Sequence, residues 1–420
     1  MRKDQPKKPL TILPLGGLGE IGMNCLYVEC EGSGILIDCG VTFPSKPEGV
    51  DVYHPSFEPI RDRLDSLEAL ILTHGHEDHL GAVEYLLELK ELPVYAPKYS
   101  KEQLLERFEE RRRERPEVLL YQHGRSFGVG PFEIEAYRVH HSAPYAHGLV
   151  IRGPFGTMIH TGDFKIEERP STTFDWEIVD RAAEEGVDLL MSDSTNIEVE
   201  GRSGSELDVA AELIEAVKGE TGRVVIALFG SNVLRLDAVI RAARATNRKL
   251  VLLGRSVETH ARLGLRCGEL EPFDDITVPA EEAMRLPRHR LLAIATGSQG
   301  ERLAALPRIA RGNHHDLDLA PGDTVILSSR IIPGAELAVY ELMNEFIRRG
   351  VKVVDRKNIP SIHVSGHATR DELRLFLERV RPTAFIPAHG TRMHLERHAA
   401  LAREIGIEEI AVIENGDLIE

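Results

Sequence analysis

The segment HGHEDH, which begins at His74, constrains this chain more than any other part of its sequence. It follows Glu68–Thr73, an apolar run typical of a short buried strand. In an extended segment His74 and His76 point to the same side, so both side chains can reach one ion. As the chain turns, Asp78 and His79 can face a second ion. Imidazole and carboxylate groups without thiolate favour a catalytic zinc, manganese or iron centre over a purely structural zinc.

Two later segments carry the further ligands that such a centre needs. His140 and His141 end a strand-like run that Pro144 stops, and the residues alone leave open which histidine is the ligand. Asp163 follows the strand Met158–His160 and a Thr-Gly turn. A carboxylate has two oxygens and can span two ions about 3.5–4 Å apart. A histidine-rich surface loop, or an Asp in a glycine turn, would each be structural alone, but together the segments favour a metal site.

These motifs resemble those of the metallo-β-lactamase superfamily, whose fold is an αββα sandwich. The resemblance favours His141 over His140, because His-Ser-x-Pro matches the family pattern. It implies two divalent metal ions, Zn²⁺ by preference and Mn²⁺ as the alternative, with Asp163 bridging them. Asp78 would also count as a catalytic residue. The ligands implied for the two ions are His74, His76, Asp78, His79, His141, Asp163 and His389.

Composition is that of a large globular enzyme. The chain has 420 residues, 42% hydrophobic and 28% charged, which suits two domains with substantial cores. No apolar run approaches the roughly 20 residues that span a bilayer. The basic stretch Met1–Pro9 lacks the apolar core of a secretory signal. The 4 cysteines form no close metal-type pair, although Cys25 and Cys30 could be drawn as a disulfide. Buried thiols in a reducing cytoplasm are the simpler expectation.

The net charge of −16 weighs against a nucleic-acid partner, because phosphate binding favours basic surfaces. Bound divalent ions would add positive charge locally. The densest basic cluster, Arg111–Arg113, lies in a charged helical stretch and is more typical of a solvated helix face. Arg255 and Arg330 are candidate phosphate contacts, although surface arginines are common.

The order of predicted elements indicates an inserted domain. Residues 10–165 alternate short strands with glycine turns, whereas helices and parallel-type strands alternate from about residue 207, in a Rossmann-like α/β pattern. Strands return from Val351–Val354 onward. The predicted organisation is a metallo-β-lactamase domain over residues 1–200, an insertion over 201–350, and a return segment over 351–420.

An insertion of this type resembles the β-CASP nucleases, which process RNA or DNA. Ser192–Asn196 resembles the first motif of that branch with Asp193 as its acid, and His363–Ala368 the second with His367 as its histidine. Pro387–Gly390 resembles the third. Other stretches resemble ribonuclease J in particular: Leu15–Asn24, Gly230–Asn232, Thr296–Glu301 and Leu327–Gly334.

The resemblance and the residue chemistry together predict how catalysis would proceed. Hydroxide activated by two metal ions would attack the phosphorus, and His367, held by Asp193, would protonate the leaving oxygen. A lone His367 would ordinarily be structural, and Asn232 alone would equally well be a helix cap. The residues predicted to bind substrate phosphate are Ser231, Asn232, His363, Ser365 and Gly366.

The expected activity is metal-dependent hydrolysis of single-stranded RNA by a 5′→3′ exonuclease, with endonuclease cleavage as an additional mode. A cytoplasmic homodimer is expected, without membrane attachment. A nuclease for single-stranded DNA, a small-molecule metallo-hydrolase and a catalytically silent RNA-binding module are the alternatives. The chain departs from the ribonuclease J pattern without losing a ligand, at Tyr145, Arg302, Ala335 and Thr391.

Overall fold

The protein is described by a computed structural model that covers residues 6–44, 49–167, 173–332 and 334–420. The first residues of the basic stretch Met1–Pro9 and the proline of the motif Leu327–Gly334 lie outside these ranges. Two β-sheets lie face to face with helices on their outer sides, and another sheet forms a separate unit that is inserted in sequence between two strands of the second sheet. The αββα sandwich with a Rossmann-like insertion is therefore confirmed.

The described strands of the first facing sheet all precede the insertion, whereas the second facing sheet combines strands from both sides of it. The first sheet has the order β1 (Thr11–Gly16), β3 (Cys25–Cys30), β4 (Ser33–Ile37), β5 (Leu67–Ile71), β6 (Val94–Ala96) and β7 (Val118–Leu120). The second has the order β20 (Glu409–Ile410), β18 (Ala384–Ala388), β12 (Leu189–Asp193), β11 (Gly156–His160), β10 (His147–Gly153), β9 (Phe132–Arg138) and β8 (Ser126–Val129). A short pair, β2 (Leu18–Gly19) and β19 (Gly390–Thr391), joins the N-terminal part to the return segment.

Helices cover the outer faces of these sheets and both faces of the insertion. Among the described residues, no helix is long and apolar enough to cross a bilayer. The α-helices are α1 (Glu77–Leu80), α2 (Val83–Leu89), α3 (Lys98–Glu110), α4 (Trp176–Glu185), α5 (Glu206–Lys218), α6 (Val233–Ala245), α7 (Arg255–Cys267), α8 (Ala305–Ala310), α9 (Glu336–Arg348), α10 (Arg370–Val380) and α11 (Arg392–Ile405). Short 3-10 helices lie at Glu58–Ser66, Ala280–Arg285, Arg288–Arg290 and Pro360–Ile362.

Alternation along the strands explains why the sandwich forms. In β4, Ile35 and Ile37 face the second sheet, whereas Leu36 faces the helices outside the first sheet. In β10, Leu149 faces the core between the sheets and Val150 packs under α4 and α10. Because successive side chains of a strand point to opposite faces, these apolar runs must be covered on both sides. The result is one core between the sheets and one outside each sheet.

The insertion has a parallel sheet of its own, covered on both faces. Its strand order is β14 (Lys249–Leu253), β15 (Leu291–Ala295), β13 (Val224–Ala227), β16 (Thr324–Leu327) and β17 (Lys352–Val354). The prediction that Val351–Val354 belongs to the returning metal-site segment is wrong. This strand pairs in parallel with β16, Ile326 opposite Val354, so it completes the sheet of the insertion. The domain boundaries at residues 200 and 350 stay predictions.

Buried polar contacts join the insertion to the sandwich. The hydroxyl of Tyr99 on α3 lies 2.7 Å from Nδ1 of His260 on α7, and both side chains are buried. Tyr145, at one of the departures from the family pattern, donates its hydroxyl to the carbonyl of Cys267 at the end of α7, at 3.3 Å. Tyr99 also lies against the histidine loop, because a Cβ atom at Gly75 would come within 3.3 Å of its ring.

We expect Tyr99→Phe to destabilise the junction between the insertion and the sandwich by about 1–3 kcal/mol, because it leaves the ring nitrogen of His260 buried without its partner. Urea denaturation would measure this as a lower midpoint. Tyr340→Phe is the matched control, because Tyr340 is exposed on α9. Equal midpoints for the two variants would contradict the structural role of this hydrogen bond.

Candidate metal centre and catalytic site

The candidate site lies where strands of both sheets end at one edge of the sandwich. In the second sheet β11, β12 and β18 run in parallel, so their carboxyl ends are neighbours. Asp163 follows β11, Asp193 ends β12 and His389 follows β18. The histidine loop follows β5 of the opposite sheet. Rigid strand ends hold these side chains with little freedom to lose when a ligand binds.

One set of ligand atoms contains His74, His76, His141 and Asp163, all within 4.8 Å of one another. Nδ1 of His76 lies 3.2 Å from Nε2 of His74 and 3.0 Å from Nε2 of His141. Oδ2 of Asp163 lies 3.8 Å from Nε2 of His74 and 3.7 Å from Nε2 of His141. Three imidazoles and one carboxylate thus face a common point.

A second set contains Asp78, His79, His389 and the same Asp163. Nε2 of His79 lies 3.2 Å from Oδ2 of Asp163 and 3.6 Å from Oδ2 of Asp78. Nε2 of His389 lies 3.5 Å from Oδ2 of Asp78, and its Nδ1 lies 2.8 Å from Oδ1 of Asp163. Because Asp163 belongs to both sets, its two oxygens can serve two ions.

Asp38 orients the histidine loop from beneath. Its carboxylate accepts the backbone N–H and the hydroxyl of Thr73, both at 2.7 Å, and the Nδ1–H of His79, also at 2.7 Å. The Thr73 oxygen in turn accepts Nδ1–H of His74 at 3.0 Å. With Nδ1 protonated, both rings turn the lone pair of Nε2 toward the candidate ions.

His141 is oriented from the second β-CASP motif. Its Nδ1–H donates to the carbonyl of Gly366 at 2.8 Å, which again leaves Nε2 facing inward. A Cβ atom at Gly366 would lie 2.9 Å from this ring, so only glycine fits there without displacement. His140 points elsewhere: its Nδ1 accepts the N–H of Glu167 at 3.1 Å. The structure therefore brings His141, and not His140, into the cluster.

The pKa values of the clustered histidines favour the binding of cations. Burial lowers the pKa of His76 to about 4, and burial with neighbouring imidazoles lowers the pKa of His74 and of His141 well below the usual value. These rings are neutral at pH 7 and can bind metal. Burial acts in the same direction on His79 and His389, but the carboxylate of Asp163 outweighs it and raises the pKa of both. Positive charge is thus favoured there, and the donor set fits two divalent ions.

His367 is paired with Asp193, and these two residues form a third group of possible ligand atoms with Asp163 and His389. The Nδ1–H of His367 donates to Oδ2 of Asp193 at 2.8 Å, and lies 3.8 Å from Oδ2 of Asp163. Burial alone would lower the pKa of His367, but the two carboxylates raise it to about 9. The other oxygen of Asp193 accepts the N–H and hydroxyl of Thr195 at 2.9 and 2.7 Å. The hydrogen bond to Asp193 fixes the orientation of the ring, and the neighbouring carboxylates favour its protonated form.

The residues predicted to bind phosphate lie in two segments. The oxygen of Ser365 accepts Asn196 Nδ2 at 2.8 Å and the N–H of His367 at 3.3 Å, so its own hydroxyl proton is free to donate outward. Asn232 caps α6 by accepting the N–H of Arg235 at 3.0 Å, whereas Ser231 just before it is partly buried. Asn232 is therefore a helix cap, which was the structural alternative for this residue. Contact of Asn232 with phosphate stays a prediction.

Arg235 joins the two segments and could not be found from the sequence. This side chain is fully buried, donates twice to Glu206 at 2.8 and 2.9 Å, and donates to Ser328 Oγ at 2.7 Å and His363 Nδ1 at 3.0 Å. An arginine within a helix ordinarily indicates a solvated face. Asn24 was also missed, although it lies in the Leu15–Asn24 motif: its Nδ2 is 3.0 Å from Nε2 of His79.

Family models match the chain from the first sheet to the return segment. Residues 34–227 match the model described as "Beta-lactamase superfamily domain". Residues 221–346 match "Ribonuclease J, beta-CASP domain", and residues 351–412 match "Zn-dependent metallo-hydrolase RNA specificity domain". A crystal structure of a protein of unknown function from Enterococcus faecalis is similar over 98% of this chain and 99% of that one, with a TM-score of 0.66 and 18% identity, which supports the fold alone.

Curated relatives share sequence along nearly the whole chain. A ribonuclease J from Mycolicibacterium smegmatis is 40% identical over 97% of this chain and 74% of its own length. One from Corynebacterium glutamicum is 38% identical over 99% of this chain, which spans 59% of that relative. The chain belongs to the ribonuclease J family, in the β-CASP branch of the metallo-β-lactamase superfamily.

Proposed function

We propose that this chain is a metal-dependent ribonuclease that degrades single-stranded RNA from its 5′ end, with internal cleavage as an additional mode. The observation that carries the proposal is the convergence of two ligand sets on Asp163, next to the His367–Asp193 pair. RNA as the substrate is supported by the match to an RNA specificity domain and by relatives named ribonuclease J.

We propose that the two ligand sets hold two divalent ions, Zn²⁺ by preference and Mn²⁺ as the alternative. Borderline-soft imidazole with few carboxylates suits zinc, and the mixed nitrogen–oxygen set also accepts manganese. When bound, such ions lower the pKa of water toward neutrality and offset charge on phosphate oxygens. Asp78 then acts in catalysis by holding the second ion, and 30% of its side chain is exposed.

In the proposed reaction, His367 and Asp193 carry out the proton transfer to the leaving group. The carboxylates beside His367 favour its protonated form, and its side chain is 21% exposed, so it can give its proton to the leaving ribose oxygen. Asp193 keeps the ring charged and oriented through Nδ1, which leaves Nε2–H as the donor. Positioned acids of this kind contribute about 10²–10⁴-fold to a rate.

The second β-CASP motif would determine that RNA is degraded from its 5′ end. Because Arg235 can only donate, its bond to Nδ1 of His363 leaves the ring proton on Nε2, where it can meet a phosphate. Ser365 adds its hydroxyl, and Gly366 adds a backbone N–H on the same segment. The carbonyl of Gly366 holds His141, so a terminal phosphate bound here would keep a fixed position relative to the metal centre. That arrangement suits release of one nucleotide at a time.

Assembly as a homodimer and a cytoplasmic location stay predictions. Light scattering of the purified protein would give its oligomeric state, and fractionation of cells would give its location.

Digestion of single-stranded RNA labelled at either end tests the activity. Substrates with a 5′ monophosphate and a 5′ hydroxyl would be compared in Zn²⁺ and in Mn²⁺, with the matching DNA as a control. We expect mononucleotides to be released progressively from the 5′ end of RNA. Internal fragments alone would contradict the direction, cleavage of DNA alone would contradict the substrate, and no cleavage in either metal would contradict the activity.

The adjacent residues His140 and His141 provide matched variants that test which of them is a metal ligand. We expect His141→Ala to lose bound metal and abolish hydrolysis, because it removes an inward-facing nitrogen. His140→Asn should keep both, because an amide oxygen can still accept the N–H of Glu167. Element-specific mass spectrometry would count the ions and the RNA assay would measure turnover. Metal retained in His141→Ala, or lost only in His140→Asn, would reverse the ligand assignment.

We expect His367→Gln and Asp193→Asn to lower kcat by about 10²–10⁴-fold while leaving the metal content unchanged, because both residues act on the proton and not on the ions. Single-turnover kinetics at saturating RNA would isolate the chemical step. If His367→Gln instead loses metal, His367 is a ligand and the proton must come from elsewhere.

A further inference from the structure

Two arginines stand just beyond the carboxyl ends of neighbouring strands in the insertion. Arg330 follows β16 and Arg356 follows β17, and these strands pair in parallel with Ile326 opposite Val354. Open parallel sheets bind ligands in the crevice at this edge. The same edge carries the predicted phosphate residues, because Ser328, beside Arg330, donates its hydroxyl to the carbonyl of Ile362 at 2.7 Å.

Arg330 is tied into the catalytic segment. Its Nη1 donates to Oδ1 of Asn196 at 2.6 Å, and Asn196 donates to Ser365 Oγ at 2.8 Å and to the carbonyl of His367 at 3.1 Å. Gln299 fixes the backbone around Arg330 by donating to its carbonyl at 2.9 Å and accepting the N–H of Ile332 at 2.8 Å. Arg330 is exposed as a residue, yet its carbonyl and its Nη1 are held by hydrogen bonds.

Arg356 makes no hydrogen bond or ion pair with any residue that the structure describes, and Arg330 has no carboxylate partner there. Burial lowers the pKa of Arg356, and the charge of Arg330 lowers it further. Arg356 likewise adds to the burial and the Arg235 charge that lower the pKa of His363. The nearest acid in sequence, Asp355, is engaged by the N–H groups of Lys357 and Asn358.

Other arginines in this chain mostly neutralise acids. Arg111 and Arg113, the densest basic cluster of the sequence, lie past the end of α3 and pair with the buried carboxylate of Glu84, so they are not a free basic surface. A protein with a net charge of −16 that places two arginines after neighbouring strand ends without a carboxylate partner leaves a local demand for an anion. Planar guanidinium groups suit phosphate in particular.

We propose that Arg330 and Arg356 form a phosphate-binding pair that takes a phosphate group of the RNA, next to the segment from His363 to Gly366. The proposal rests on the proposed ribonuclease function and deepens it by adding two specificity-determining residues from the insertion. The phosphate is either the 5′-terminal one or the first backbone phosphate, which share the same chemistry.

Arg356→Ala is the decisive variant, because Arg356 makes no hydrogen bond or ion pair with a described residue that the substitution would break. Binding of 3′-fluorescein RNA with phosphorothioate linkages, which slow hydrolysis, would be measured by anisotropy on the metal-loaded protein over a series of KCl concentrations. We expect a roughly tenfold higher Kd and a shallower slope of log K against log salt, by about 0.7 for one lost contact to a single strand. Arg330→Ala should act in the same direction.

Arg348→Ala is the matched control, because it removes the same charge from the last turn of α9, at the opposite edge of the insertion sheet. Arg356→Lys keeps the charge and should keep the salt slope. A loss confined to 5′-monophosphate RNA would assign the pair to the terminal phosphate, and an equal loss with 5′-hydroxyl RNA would assign it to the backbone.

Wild-type Kd and slope in both Arg356→Ala and Arg330→Ala would overturn the phosphate pair while leaving the ribonuclease proposal intact. A wild-type protein that neither binds nor cleaves RNA would overturn both proposals, so the two failures are distinguishable.

Discussion

The buried carboxylate of Asp163 is the group on which the site depends. Five histidine rings lie within 3.8 Å of its oxygens: His74, His79, His141, His367 and His389. Burial would raise the pKa of Asp163, but the positive charge around it holds that pKa well below its usual range. A charge buried this deeply must be balanced by protons or metal ions. The site is therefore a cation-binding centre before any particular chemistry is assigned to it.

The insertion is joined to this centre through polar contacts and not only through covalent connection. Arg235 of α6 holds Glu206, Ser328 and His363, and the segment that begins at His363 holds His141 through Gly366. Asn196 adds a second route from Arg330 to the carbonyl of His367. A change in the position of the insertion would therefore move the proposed metal ligand His141 and the proposed proton donor His367. In the proposed mechanism, substrate binding and catalysis would share these residues.

Much of the fold and the ligand set could be predicted because both leave local signals. Strand-end histidines and alternating apolar runs are visible in the sequence, and the structure brings every implied ligand together. Interactions between distant segments left no such signal. The pairing of β17 with β16 depends on which sheet has an open edge, and the burial of Arg235 depends on a Glu that is remote in the chain. The Tyr99–His260 contact and the role of Asn24 could not be predicted either, because they also join distant segments.

Metal binding by an Asp163→Ala protein tests the central claim most directly. Equilibrium dialysis followed by element-specific mass spectrometry would give the number of ions per chain and their affinities. If Asp163 serves both ligand sets, the wild-type chain binds two divalent ions and the variant loses affinity at both positions together. An Asp163→Ala protein that still binds two ions with wild-type affinity would contradict the account.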